Sequence, residues 1–281
     1  MTLKVLYGAE NMKKISIKQI SLIAGILAII SFILRIISLL SFHEYSGYYQ
    51  KGAILPIISN TVFAISIIFA LVATMVFVKK DHYIPLPSNI SNYCAILPIA
   101  AAIFHISRIL MLPYNDLAVN KYLMIIACAL SAAYFFMIFI NKTKETVTVY
   151  LGIGACFYFF LNWVFVYFNF SSPINSVDRI FFYFACAGAI LFIFNEICAC
   201  FGCVKPKFYF FSVFCAILTI SVSSLASIIA SGEIAAYNWL ESDISLLSVM
   251  IYAIVRLVTV LFKKENTASP EITAENDEKC E

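Results

Sequence analysis

Arg35, His105, Arg108, Glu196 and Arg256 each stand inside a long apolar run. The stretch AAIFHISRILML, residues 101–112, shows the pattern: ten apolar or small residues interrupted by His105 and Arg108, one helical turn apart. A guanidinium suits carboxylate or phosphate through paired hydrogen bonds. An imidazole one turn earlier can share its face. Anion binding is therefore the chemistry these residues suggest, with Arg35 and Arg108 holding the anion and His105 orienting it or titrating. Glu196 and Arg256 carry opposite charges near corresponding ends of their runs. They are expected to form a structural ion pair, because pairing removes the cost of two unmatched buried charges.

The elements that must position these groups follow from composition. The chain of 281 residues is 62% hydrophobic and only 12% charged. A soluble chain is closer to half apolar and a quarter charged, so the solvent here is lipid. Eight runs are long enough to cross a hydrocarbon core, at approximately 20–42, 56–78, 93–112, 121–141, 147–170, 178–202, 208–231 and 244–262. Continuous runs exclude a β-barrel, whose strands alternate in short segments. The expected fold is an all-α integral membrane bundle of eight transmembrane helices, a single domain over 20–262. It lies between a basic N-terminal segment, 1–19, and an acidic, disordered tail, 263–281. The first run is too long for a cleaved signal peptide and lacks a small-residue cleavage site.

Lysine and arginine set the orientation. Counted before and between the eight runs and directly after the last, they number 4, 1, 2, 1, 2, 1, 2, 0 and 2. The alternation expects both termini in the cytoplasm, an even helix number, and a multi-pass protein of the cell membrane. Of the nine cysteines, all but Cys280 in the tail lie in or beside apolar segments, and they read as reduced thiols packed as small side chains.

Intramembrane charges cost about 2.5–3.5 kcal/mol each on insertion scales. A long side chain escapes part of that cost by reaching the headgroups. Side chains on a helix lean toward its N-terminus. Arg35 and Arg108 lie near the outer ends of outward-running segments, about 10 Å and 6 Å below them at 1.5 Å per residue. Their lean is back into the membrane, which works against snorkelling. Arg179, at the outer start of the sixth segment, leans outward and is expected to be an interfacial anchor. Counter-charges for the outer arginines are available in Glu44, Asp116, Glu233, Glu241 and Asp243; otherwise a bound anion supplies them.

Two faces are patterned. Ser21, Gly25, Ala28, Ser31, Arg35 and Ser38 share one face of the first segment, which places Arg35 on a packed side. Ser212, Thr219, Ser223, Ser227 and Ser231 form a stripe on the seventh, either a helix–helix contact or the wall of a polar cavity. SFHEYSGYYQKG, residues 41–52, sets three tyrosines around Gly47, as interfacial anchors or as the roof of an outward-facing pocket.

The run LRIISLLSFHEYSGYY, with the acidic FNEIC late in a later segment, resembles multi-helix membrane proteins common in Firmicutes, a family without an assigned activity. The resemblance implies an eight-helix integral protein and no particular function.

CACFGC, with Cys198, Cys200 and Cys203, holds one CxxC, whereas a zinc or iron–sulfur site needs about four ligands. No metal and no cofactor are expected. HExxH, GxSxG and an intramembrane carboxylate pair are missing from the sequence, and so is a basic patch with interleaved aromatics for nucleic acid. Three function classes remain. The preferred one is a transporter or receptor for an anionic small molecule or lipid headgroup. The others are a non-catalytic membrane subunit packed against a partner protein, and a lipid-modifying membrane enzyme.

Overall fold

The computed structural model describes residues 16–42, 50, 52–80, 82–87, 90–111, 118–168, 177–230 and 240–262. Among them there is no strand, and eight helical spans are long and apolar enough to cross a membrane. The chain is a multi-pass α-helical membrane protein. Lys4, Lys13 and Lys14, the tyrosine-rich turn with Glu44, the loop acids Asp116 and Glu233, Ser231, and the tail from 263 lie outside the described residues.

The first two spans are Ile17–Phe42 and Ile54–Phe77. The third is broken into Ile90–Cys94 and Ile96–Met111. Pro98 explains the break: it has no N–H to give the carbonyl of Cys94, and its ring collides with that carbonyl, so the chain turns at Ala95. The fourth, fifth and sixth spans are Ala118–Phe139, Thr146–Phe168 and Val177–Cys200. The seventh starts with Pro206, where a missing N–H costs nothing, runs to Ile220, widens into a π-helical turn at Ser221–Leu225, and ends at Ala226–Ile229. The eighth is Leu240–Phe262. It begins four residues before the expected 244, because Glu241 and Asp243 belong to its first turn, where the helix dipole favours negative charge.

Two spans end in the same way. Lys142 N–H donates to the Met137 carbonyl and Asn141 N–H to that of Ile138, with Asn141 at φ 59°. Cys203 and Gly202 repeat the arrangement on Cys198 and Ala199, with Gly202 at φ 73°. This double bond pattern satisfies carbonyls that the helix leaves orphaned, and it needs a residue that tolerates a left-handed conformation.

Packing inverts the order of a soluble protein. Leu22, Ile29, Ile33, Ile57, Ile68, Leu110 and Ile153 point outward, whereas Arg35, Arg179, Glu196, Asp243 and Arg256 are buried. Lipid accepts the aliphatic exterior, and the polar groups are left to satisfy one another. The seventh span is the most enclosed of the eight. It meets the sixth where Gly188 lets the backbones close: a Cβ there would stand 2.4 Å from Thr219 Oγ1 and 3.3 Å from the Ala216 Cα. The stripe of Ser212, Thr219, Ser223 and Ser227 is buried, and at Thr219 it is a helix–helix contact.

The bundle has two distinguishable faces. Lys18 Nζ lies 4.9 Å from the centre of the Phe262 ring, so the first span starts where the eighth ends. That end is called the terminal face here and the other the distal face. Cys94, Cys128, Cys156, Cys186, Cys198, Cys200 and Cys215 are free thiols. Cys203, just beyond the sixth span, departs from the expected reduced state and is disulfide-bonded.

Candidate functional site

The eighth span carries Glu241, Ser245, Ser248, Tyr252 and Arg256 at steps of 4, 3, 4 and 4. A 3.6-residue period puts them on one face. That face is turned into the bundle: Ser245, Ser248, Tyr252 and Arg256 are buried, while Ile251, Ile254 and Val258 behind them are exposed. The polar line runs from the distal end of the span inward to Arg256, six residues short of its terminal end at Phe262, and meets polar groups from the third, fifth, sixth and seventh spans.

At the distal end, Arg108 Nε donates to Glu241 Oε1 at 2.8 Å. The Arg108 side chain is 50% exposed and Glu241 only 18%. One turn deeper, His105 Nδ1 and Tyr158 Oη of the fifth span are 2.7 Å apart, and Tyr158 Oη donates to Ser245 Oγ at 2.7 Å. With Tyr158 donating to Ser245, His105 Nδ1 is the proton donor of the pair. Ser242 Oγ donates to Asn162 Oδ1 at 2.6 Å, and Asn162 Nδ2 to the Tyr158 carbonyl at 2.9 Å. Ser248 Oγ donates to the Ser245 carbonyl at 2.6 Å.

One helical turn further, about 6 Å along the axis, lies the second cluster. Glu196 Oε1 accepts from Arg256 Nε at 2.5 Å and from Tyr252 Oη at 3.2 Å. Its Oε2 accepts from Tyr209 Oη of the seventh span at 2.9 Å. Arg256 Nη2 donates to the carbonyl of Pro85 at 2.9 Å, in the segment after the second span that covers this end of the bundle. Three donors surround one carboxylate. Arg256 Nη1 and the hydroxyl of Tyr134, in the fourth span, are also buried but find no acceptor among the described residues.

The other arginines lie apart from this line. Arg35 Nη2 donates to Asp178 Oδ1 at 2.6 Å, and its guanidinium carbon sits 4.2 Å above the Phe181 ring. Arg35 and Arg108 therefore answer to different carboxylates on different spans, the sixth and the eighth. Glu241 was among the acids the sequence offered, and Asp178 was not. Arg179 is buried rather than an exposed anchor: its Nη1 reaches the Tyr167 carbonyl at 3.4 Å, because the end of the fifth span lies alongside.

Reasoning from sequence missed Tyr134, Tyr158, Tyr209, Tyr252 and Ser245 as partners. The spacing of 241, 245, 248, 252 and 256 was the signal that could have found the eighth-span line. Among the described residues, no group of three or more metal-ligating side chains comes together. No family model matches this chain, and neither a curated protein nor a solved structure resembles it.

Proposed function

We propose that this chain is a membrane transporter for a small anion, with its route along the buried face of the eighth span. The observation that carries the reading is that line of five polar side chains, from Glu241 in the first turn of the span to Arg256, buried six residues before its end. Helix packing in lipid needs small residues and isolated hydroxyls. It does not need ionisable groups at both ends joined by hydroxyls between them. Intramembrane ionisable residues facing the bundle interior mark solute and ion pathways.

Two features favour an anion as the cargo. Arg108 is half exposed and engages Glu241 through Nε, which leaves its Nη groups to meet another acceptor. Arg256, at the far end of the line, keeps one N–H group without an acceptor among the described residues. A cation thus stands at each end of the route. The terminal face, which carries Lys18, Lys79, Lys80, Lys142, Lys144, Lys205 and Lys207, is the cytoplasmic one in this reading, as the positive-inside rule asks. Arg35 with Asp178 is a structural pair that ties the first span to the sixth.

Purified protein in liposomes loaded with chloride, acetate or phosphate tests the reading. At least one of these anions is expected to leave faster than from protein-free liposomes. Arg108→Gln should slow that efflux about tenfold, the effect of losing a charge-assisted contact of about 1.5 kcal/mol. Efflux of all three at the protein-free rate would refute the proposal.

A further inference from the structure

Cys203 is disulfide-bonded, and its partner follows by elimination. The sequence holds nine cysteines. Every described cysteine other than Cys203 is a free thiol. Only Cys280 remains, in the acidic tail beyond the described residues. The tail follows Phe262, which ends the eighth span on the terminal face. Cys203 is exposed on that same face, in the turn between the sixth and seventh spans. The chain from Phe262 to Cys280 can reach about 60 Å when extended. A helix with its side chains is only about 10 Å across, so Cys203 is within reach of the tail.

The surface around Cys203 is basic. Lys205 and Lys207 stand just after it. Lys207 Nζ donates to the Met75 carbonyl, which holds the start of the seventh span against the end of the second. Lys79 and Lys80 follow that end and are exposed. Among the described residues Glu145 is the one exposed acid, and Lys142 meets it at 3.4 Å. Around Cys280 the sign is reversed: Glu275, Asp277, Glu278 and Glu281 stand against Lys279. We propose that the acidic tail docks on this basic face, with the acids beside Cys280 set against Lys79, Lys80 and Lys205, and that a reversible Cys203–Cys280 disulfide fastens it there.

The bond forms by exchange with a small disulfide such as oxidised glutathione. The Cys280 thiolate attacks one of its sulfurs, and a small thiolate leaves. The Cys203 thiolate then attacks the Cys280 sulfur of the mixed disulfide, and the second small thiolate leaves. Two protein thiols are oxidised, and one small disulfide is reduced to two thiols. A small reducing thiol reverses both steps. This face is the cytoplasmic one in the orientation proposed above, and disulfides in that compartment are characteristically transient and redox-sensing. The inference goes beyond the transport reading and does not need it, because docking is measured without flux.

In the test, the full chain in detergent is equilibrated with oxidised and reduced glutathione, denatured, and reacted with a polyethylene-glycol maleimide that shifts the gel band once per free thiol. Seven additions are expected after oxidation and nine after full reduction. Cys280→Ser should give one fewer than nine in both states. At a fixed concentration of reduced glutathione, Lys79→Glu, Lys80→Glu and Lys205→Glu together should raise the oxidised glutathione needed for half-formation about fivefold to tenfold, the worth of three exposed ion pairs. High salt should move wild type in the same direction by screening those pairs, and this arm decides should the triple variant not insert. Nine additions after oxidation, a cross-linked dimer on a non-reducing gel, or two thiols still missing in Cys280→Ser would overturn the disulfide. A disulfide whose formation ignores charge reversal and salt would overturn the docking surface.

Discussion

Neutralising Glu196 should be among the most destabilising conservative changes in the molecule. Glutamine keeps the shape of the side chain but removes the charge that three donors surround at 2.5, 2.9 and 3.2 Å. Arg256 then remains fully buried, with a neutral amide beside it and only the Pro85 carbonyl as a second acceptor. Breaking a buried pair by removing one partner costs about 3–5 kcal/mol, because the other charge is left uncompensated. Arg256→Met strands the carboxylate instead, softened by the two tyrosine hydroxyls. The double variant strands neither, so its loss should fall short of the sum of the singles by about 2–3 kcal/mol. The assay is equilibrium unfolding in mixed micelles, followed by tryptophan fluorescence in gluconate buffer so that chloride plays no part. Glu196→Gln within about 0.5 kcal/mol of wild type, or strict additivity in the double variant, would refute the reasoning.

Other contacts give equally definite expectations. Gly188→Ala places a methyl group 2.4 Å from Thr219 Oγ1. It should cost about 1–3 kcal/mol by overpacking, with part of the loss recovered by Thr219→Ala in the same micelle assay. Tyr158→Phe removes the hydroxyl between His105 and Ser245. It should cost about 1–3 kcal/mol, since it leaves buried partners unmatched, and Ser245→Ala on top should add little. Asp178→Asn deprives buried Arg35 of its 2.6 Å partner. It should lower stability by about 1.5–3 kcal/mol, the worth of a hydrogen bond to a charged group, and Arg35→Met in the same chain should restore a good part of it.

The division between what the sequence discloses and what it hides has a physical basis. Lipid imposes a rule along the chain: a run of about twenty apolar residues spans, and basic residues mark one side. Span number and approximate limits follow from that rule alone. Limits shift where charge sits inside a first helical turn, as with Glu241 and Asp243, or where proline breaks a helix, as with Pro98. Facing is also local, so the first-span stripe is buried at Ala28, Ser31, Arg35 and Ser38 as its period implies, and half-buried toward its start at Ser21 and Gly25. Glu196 and Arg256 share a level that counting along two helices can find. Neighbours are a different matter. Arg35 and Asp178 are 143 residues apart, and their meeting depends on which spans pack together, which no period within one helix encodes. The same blindness invites a pocket between Arg35 and Arg108, whereas each is drawn to a separate carboxylate. The tyrosines around Glu196 look like ordinary membrane aromatics until the helices that bring them together are known.

The central claim is that the buried face of the eighth span is open to ions and water, and Ser248, midway along it, tests that most directly. With the native cysteines replaced, Ser248→Cys in membrane vesicles is treated with a small, membrane-impermeant, anionic thiol reagent, and Ile251→Cys on the exposed face serves as the control. Labelling is expected at 248, slowed by chloride or another transported anion, and none at 251. An unreactive thiol at 248, or equal labelling at both positions, would contradict it and leave the line of polar side chains as packing.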